Sequence, residues 1–348
     1  MTAQREAFEI GREAIAPGTR RTVELPISVL SDHTPVTMSA HVIHGRRDGP
    51  VVFVSAGVHG DEIIGIEIVR RLLGMPKLDR LRGTLIAVPI VNAAGFMHNS
   101  RYLPDRRDLN RCFPGTGSGS LASRLARIFM TEIVARCDLG IDLHSAAVHR
   151  TNFPQVRVAP DDPDALRLAR VFGAPIVLLS HMREGSLRGA AKQAGVDVLL
   201  YEAGEAMRFD EMAVRAGVTG ILRVLKDRRM LPAKGITKPR REPLISYSSR
   251  WLRAPQGGLL RSFTSEGDLV EEGDTLAILA DPFGEVEVPV VADRAGLIVG
   301  RTLFPAVNEG DALFHIALVA DPSDAEKTLG YLSSQLEDDP LFDDNGII

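Results

Sequence analysis

Cysteine is scarce in this chain, long apolar runs are absent, and charge of neither sign dominates. The two cysteines, Cys112 and Cys137, are too few to frame a disulfide scaffold across 348 residues; they read as reduced, buried thiols of a cytosolic protein. No apolar run approaches the roughly 18 residues of a membrane span. The first residues, MTAQREAFEIGREAIAPGTRR, lack the apolar core of a secretory signal. The expectation is a cytoplasmic protein with no membrane partner. Lys and Arg number 41 against 45 Asp and Glu, a formal net charge of −4. That balance leaves no electrostatic footprint for nucleic acid. What remains is an ordinary soluble composition, 45% hydrophobic and 25% charged, long enough for one large domain and a smaller second one.

Residues 50–56, PVVFVSA, form a continuous β-branched and apolar run, the pattern of a strand buried on both faces. Apolar residues at helical spacing follow over 62–73, and the alternation then repeats. Strands are expected at 36–43, 84–91, 139–143, 175–179 and 196–201, and helices at 121–135, 163–172, 187–194 and 210–225. Strands alternating with helices predict an α/β sheet covered by helices on both faces. The pattern breaks in the basic, proline-bearing stretch 228–243, RRMLPAKGITKPRREP. We therefore expect a catalytic α/β domain over 1–228, a linker over 229–244, a small β domain over 245–322 and an acidic, mobile tail over 323–348. The small domain carries an internal repeat: Val270, Glu272, Gly273, Asp274 and Leu276 recur as Val307, Glu309, Gly310, Asp311 and Leu313. Two copies of a short β unit predict a quasi-twofold sandwich, similar to the barrel-sandwich hybrid of biotinyl and lipoyl carriers. A carrier needs a lysine at a hairpin tip, and none lies between Leu244 and Ser323, so a carrier role is excluded on chemistry.

Four groups of residues could carry chemistry. His59-Gly60-Asp61-Glu62 falls where the buried strand gives way to a helix, and ligand sites of open α/β sheets gather at such strand ends. A histidine and a carboxylate three residues apart across that turn can converge on one cation; zinc accepts both donor types. His144, in Asp142-Leu143-His144-Ser145 at another strand end, would be a third ligand, leaving the fourth position to water. Asp142 lies on the same strand face as His144 and could orient a ligand. Glu202 interrupts the end of an apolar strand, where a carboxylate is costly without a purpose; near a metal it can take a proton from water and pass it to a leaving amine. The stretch from Arg101 to Gly115 holds four arginines in a polar, turn-rich loop. Arg111 with Asn110 could fork onto a carboxylate, and Arg101 could meet an oxyanion. His98, His149 and His181 lack a partner at useful spacing and are read as ordinary polar residues.

GVHGDE, DLNRCFPG, DLHS and YEAG occur in that order at successive strand ends. Together they resemble the succinylglutamate desuccinylase/aspartoacylase branch of the zinc carboxypeptidase-like enzymes, over roughly residues 50–225. The repeat-bearing region is similar to the small β domain that members carry at the C-terminus. The resemblance implies a zinc-carboxypeptidase-like mixed sheet flanked by helices, followed by a small all-β, barrel-sandwich hybrid-like domain. It implies one Zn2+ per chain on His59, Glu62 and His144, with Glu202 as general acid/base and Asn110 and Arg111 on the substrate carboxylate. An upstream arginine would polarise the carbonyl. Arg101 is chosen for that role; Arg106 and Arg107 stay open, because the interval up to Asn110 is longer than in aspartoacylase. Tyr247 is not assigned to the tyrosine that some relatives supply from the C-terminal domain.

The resemblance leads to amide hydrolysis of an N-acyl amino acid, releasing a carboxylate and a free amine. A second reading is carboxypeptidase-like trimming of a peptide or modified protein C-terminus; the two differ in the room available beyond the metal. A third is a non-catalytic binding protein with a vestigial metal site, which would have lost one of His59, Glu62, His144 or Glu202. The expected partner is a small N-acyl amino acid or short peptide, and a homo-oligomer is allowed.

Overall fold

The computed structural model describes residues 5–319 and 322–337. Its strands, in chain order, are β1 (Thr19–Val29), β2 (Pro35–His44), β3 (Arg47–Ala56), β4 (Arg82–Val88), β5 (Leu139–Ala146), β6 (Arg150–Val158), β7 (Ile176–Leu179), β8 (Asp197–Glu205), β9 (Ser249–Arg253), β10 (Gly296–Thr302) and β11 (Ala312–Ala317), with shorter ones between. One mixed sheet runs in the order β9-β11-β10-β6-β8-β5-β3-β4-β2-β1. Its centre, β8-β5-β3-β4, is parallel, and these strands carry the predominantly apolar stretches, with polar residues confined to their ends and to Asp142 and His144. Both faces are covered, as parallel strands require. Val54, Ile141, Leu143 and Leu199 pack one side, and Phe53, Val88 and Val198 the other.

The covering helices are α1 (Ile64–Leu73), α2 (Leu121–Ile128), α3 (Pro163–Phe172), α4 (Leu187–Gln193) and α5 (Glu211–Asp227). Their starts are fixed by local chemistry. Ser120, Asp162, Ser186 and Asp210 each accept a hydrogen bond from the backbone N–H three residues on, satisfying a donor the helix cannot. Residues 121–135, expected as one helix, are α2 followed by a π turn, Phe129–Ile133, and a 3-10 turn, Val134–Arg136. Residues 228–243 hold no helix or strand, yet Met230, Leu231 and Ile236 are buried in the main core. The stretch is therefore packed down, not free. The tail expected over 323–348 includes a helix, Pro322–Glu337; residues 338–348 lie outside the described ones.

The repeat is expressed as an exchange of strands. Gly258–Ser262, from the first copy, pairs with Ala306–Val307 of the second, while β10, from the second, pairs with Leu269–Val270 of the first. The two turns match as well: Glu271 N–H donates to Asp274 and Asn308 N–H to Asp311, each at 2.8 Å. This C-terminal unit also joins the main sheet, because β10 pairs antiparallel with β6.

Candidate active site

The backbone fixes the site before any side chain does. β3 ends at Ala56 and turns at Gly57, whose φ of +60° a side chain would strain. Gly60 follows, and a Cβ there would lie 2.1 Å from the carbonyl carbon of Gly95, so only glycine lets this loop seat against the short helix Ala93–Met97. The turn aims His59 and Glu62 across the end of β5. Parallel register then pairs Ser55 with Asp142 and Glu202 with His144. Paired residues share a face, about 5 Å apart, so Glu202 stands on the same side as His144 and Asp142.

His59, Glu62 and His144 meet, and their candidate ligand atoms all lie within 4.8 Å of one another. All three are buried, at 2–3% exposure. Glu62 lies at the centre. Its Oε2 is 2.7 Å from His144 Nδ1, and its Oε1 is 2.7 Å from His59 Nδ1. The outward nitrogens are held from behind: His144 Nε2 by Asp142 at 2.8 Å and His59 Nε2 by Asp108 at 3.0 Å. Ser55 donates to the other oxygen of Asp142 at 2.7 Å, which carries the support back into β3. Arg101 bridges Glu62 and Asp108, at 3.1 Å to each.

This arrangement fits a divalent cation. The Nδ1 atom of His59 is buried, and despite its nearness to Glu62 it has no hydrogen-bond partner of acceptable geometry among the described residues. Both Nδ1 atoms face inward while carboxylates fix both Nε2 atoms, the support that metal-bound imidazoles ordinarily have. With neutral imidazoles, three carboxylates (Glu62, Asp108, Asp142) face one guanidinium (Arg101), leaving two negative charges uncompensated. Burial alone would depress both imidazoles, but Asp142 and Glu62 hold His144 well above its ordinary value, and Glu62 and Asp108 raise His59. Burial would raise Glu62; the two histidines outweigh it and hold the carboxyl well below the usual range. An N/O donor set of this kind suits zinc.

The other expected residues lie around this centre. Glu202 accepts from Asn152 Nδ2 at 2.9 Å and lies 3.6 Å from an Arg157 nitrogen. Asn110 is tied into the frame: its N–H donates to Asp108 and its Oδ1 accepts from the Leu187 N–H that opens α4, both at 2.9 Å. Arg111 is exposed, has no acidic partner among the described residues, and folds its guanidinium onto the Asn110 carbonyl. Arg106 and Arg107 point outward; Arg107 approaches Asp105 at 3.7 Å. His98 and His149 are exposed. Tyr247 is exposed as well, at 75%.

Sequence reading missed Asp108, Ser55, Asn152, Arg157 and Arg188. Asp108 stands inside the DLNR motif, two residues before Asn110, but only the fold brings it to His59. The others are brought in by register and packing, which leave no local signal. Arg188 is buried on α4, with one guanidinium nitrogen lacking a hydrogen-bond partner among the described residues. Burial first, then the charges of Arg157 and Arg183, push it down to about 10, while Glu202 opposes the shift.

The succinylglutamate desuccinylase/aspartoacylase catalytic-domain model matches residues 48–228, more than half of the chain. The chain belongs to the succinylglutamate desuccinylase/aspartoacylase family. A family relative, the N-alpha-acetyl-L-2,4-diaminobutyric acid deacetylase of Halomonas elongata, is 28% identical over 313 residues, covering 86% of this chain and 91% of its own. The product-bound structure of the ectoine utilization protein EutE (DoeB) from Ruegeria pomeroyi superimposes with a TM-score of 0.79 at 22% identity, over 91% of this chain and 99% of that one; it shares the fold. The biotin/lipoyl attachment protein of Bacillus subtilis is 36% identical over 63 residues, 18% of this chain and 84% of that protein, in keeping with the carrier-like repeat.

Proposed function

We propose that this family member is a zinc-dependent deacylase that hydrolyses the amide bond of a small N-acyl amino acid. The observation that carries the reading is the buried His59–Glu62–His144 cluster, backed by Asp108 and Asp142, with Glu202 in register beside His144. Zinc bound there would supply Lewis acidity and lower the pKa of water. The chain's own residues do the rest. Glu202 accepts a proton from the attacking water and returns it to the leaving nitrogen, which is a poor leaving group until protonated. Its hydrogen bond from Asn152 holds the carboxylate toward that position. Arg101 is the arginine set against the cluster, so the oxyanion role falls to it, not to the outward-pointing Arg106 or Arg107. Arg111 is free to fork onto a substrate carboxylate. An anionic group entering beside Glu202 would also meet Arg157 and Arg188.

We take a small substrate over a peptide C-terminus because the C-terminal unit packs on the loop that begins just after His144. The residues that follow β10 lie against the loop that follows β5. Leu303 N–H donates to the His149 carbonyl at 2.7 Å, and the Phe304 ring stacks on His149 at 5.0 Å. The Halomonas relative, named for an acetylated diamino acid, supports the same class. The test is a screen of N-acetyl and N-succinyl amino acids and short peptides on zinc-loaded protein, with Glu202→Gln alongside. Turnover of an N-acyl amino acid should fall by roughly 10²-fold or more in the variant while zinc is retained. A variant within a few-fold of the parent would end the general acid/base assignment. Turnover of peptides alone would favour the carboxypeptidase-like reading.

A further inference from the structure

The active site occupies one end of the parallel strands; the other end opens on a recess of about 980 Å³ lined by Arg46, Arg47, Arg80, Arg82, Lys226 and Arg229. Arg47 and Ala56 bound the same strand, β3, so this recess is about 30 Å from the catalytic mouth at ~3.3 Å per residue. Its positive charge is uncompensated. Asp79 is the sole carboxylate in the lining, and Arg20 already holds it at 2.6 Å. Among the described residues, the five arginines at 46, 47, 80, 82 and 229 have no carboxylate within ion-pair distance. This occurs in a chain whose overall charge is −4, so composition does not account for it.

The backbone presses these charges together. Arg47 and Arg82 are direct partners in the parallel register of β3 and β4, and like charges placed opposite one another destabilise a sheet. Arg229 is brought alongside because the Arg82 N–H donates to the carbonyl of its neighbour Met230 at 2.9 Å. The floor is fixed: Gly45 N–H donates to the Gly83 carbonyl, and the Arg5 guanidinium bonds both Gly45 and Gly83 carbonyls at 2.7 and 2.8 Å. A Cβ on Gly45 would meet the Leu81 carbonyl oxygen, so that approach depends on glycine. Three chain segments thus converge on one preformed concavity of the size that takes a small ligand. Guanidinium forks match phosphate oxygens. We propose that this recess binds a small molecule carrying two or more phosphate groups, at a site separate from the catalytic centre.

Calorimetric titration with inorganic tripolyphosphate, and separately with ATP, tests the proposal on the full chain. Saturable binding of one ligand per chain is expected, weakening as salt rises. Arg47→Gln combined with Arg82→Gln should weaken it at least about tenfold, since charged hydrogen bonds are lost, while N-acyl amino acid hydrolysis stays at the parent level. Arg229→Gln alone should weaken it in the same direction and serves if the double variant folds poorly. Tighter binding of ATP than of tripolyphosphate would identify a nucleotide, and equal affinity a free polyphosphate; either upholds the site. Absence of saturable binding, undiminished binding in both variants, or tighter binding of a short DNA duplex than of either probe would overturn it.

Discussion

Asp108 and Asp142 set the ring orientations of His59 and His144, because each takes the one imidazole nitrogen that does not face Glu62. Replacing either acid by asparagine keeps the shape and removes the charge that makes the ligand basic. Asp108→Asn and Asp142→Asn should each weaken zinc binding by roughly 10–100-fold, measured by competition with a chromophoric chelator. Unchanged affinity in both would mean the rings are held by packing alone. His315 is a different kind of buried imidazole. It stacks on Trp251 at 4.8 Å, pairs one nitrogen with Ser249 and leaves the other without a partner among the described residues. Burial, with the charge of Arg157 added, pushes it down to about 3. The native state therefore refuses a proton that the unfolded chain accepts below about pH 6.5. This contribution to stability is whole above that value and is lost as pH falls toward 3. Between pH 7 and pH 5 the parent should lose about 2 kcal/mol more than His315→Gln in urea unfolding. Parallel losses would show that His315 can charge in place.

The loop Gly57–Glu62 works as a unit because glycines let it pack against backbone. Gly60→Ala places a methyl into Gly95, and overpacking of this kind costs about 1–3 kcal/mol. We expect a lowered Tm together with reduced zinc stoichiometry, since the strain lies between the ligands and their support; a lowered Tm with full stoichiometry would show that the loop shifts as one body. The same loop shows what was legible in the sequence. His59, His144 and Glu202 stood out as candidates because each is a polar group at the end of an apolar stretch, and Glu62 because it follows His59 by three residues. The helices were legible through the spacing of their apolar residues. β6 was not read: RTNFPQVRV carries a proline and alternates polar residues, since it is antiparallel to β8 and β10 rather than part of the apolar parallel centre. Asn152 and Arg157 were lost with it. The helix expected over 121–135 continues to Arg136, but its second half is wound as a π turn and a 3-10 turn, a change of winding that apolar spacing does not reveal.

On the scale of the whole molecule, the C-terminal strands continue the catalytic sheet, so the two regions share a core. Val299 and Leu297 cluster with Ile176 and Leu178 of β7, and Ala317 of β11 joins them. The Gln155 amide, buried on β6, donates to the Val299 carbonyl at 2.9 Å. Glu266 ties Thr151 of β6 to Arg301 of β10, and Leu244–Ser246 pairs in parallel with β7. Removing the C-terminal strands would uncover the edge of β6, the strand that holds Glu202 through Asn152. An interface built of paired strands and shared apolar side chains should not open before the rest unfolds. The chain offers a clean probe, because its single tryptophan, Trp251, lies on β9 in the C-terminal unit, whereas far-ultraviolet circular dichroism is dominated by the helices of the α/β region. Urea transitions followed by Trp251 fluorescence and by circular dichroism should therefore share one midpoint. A fluorescence transition at clearly lower urea would mean that the C-terminal unit unfolds on its own, and that β6 and Glu202 keep their place without it.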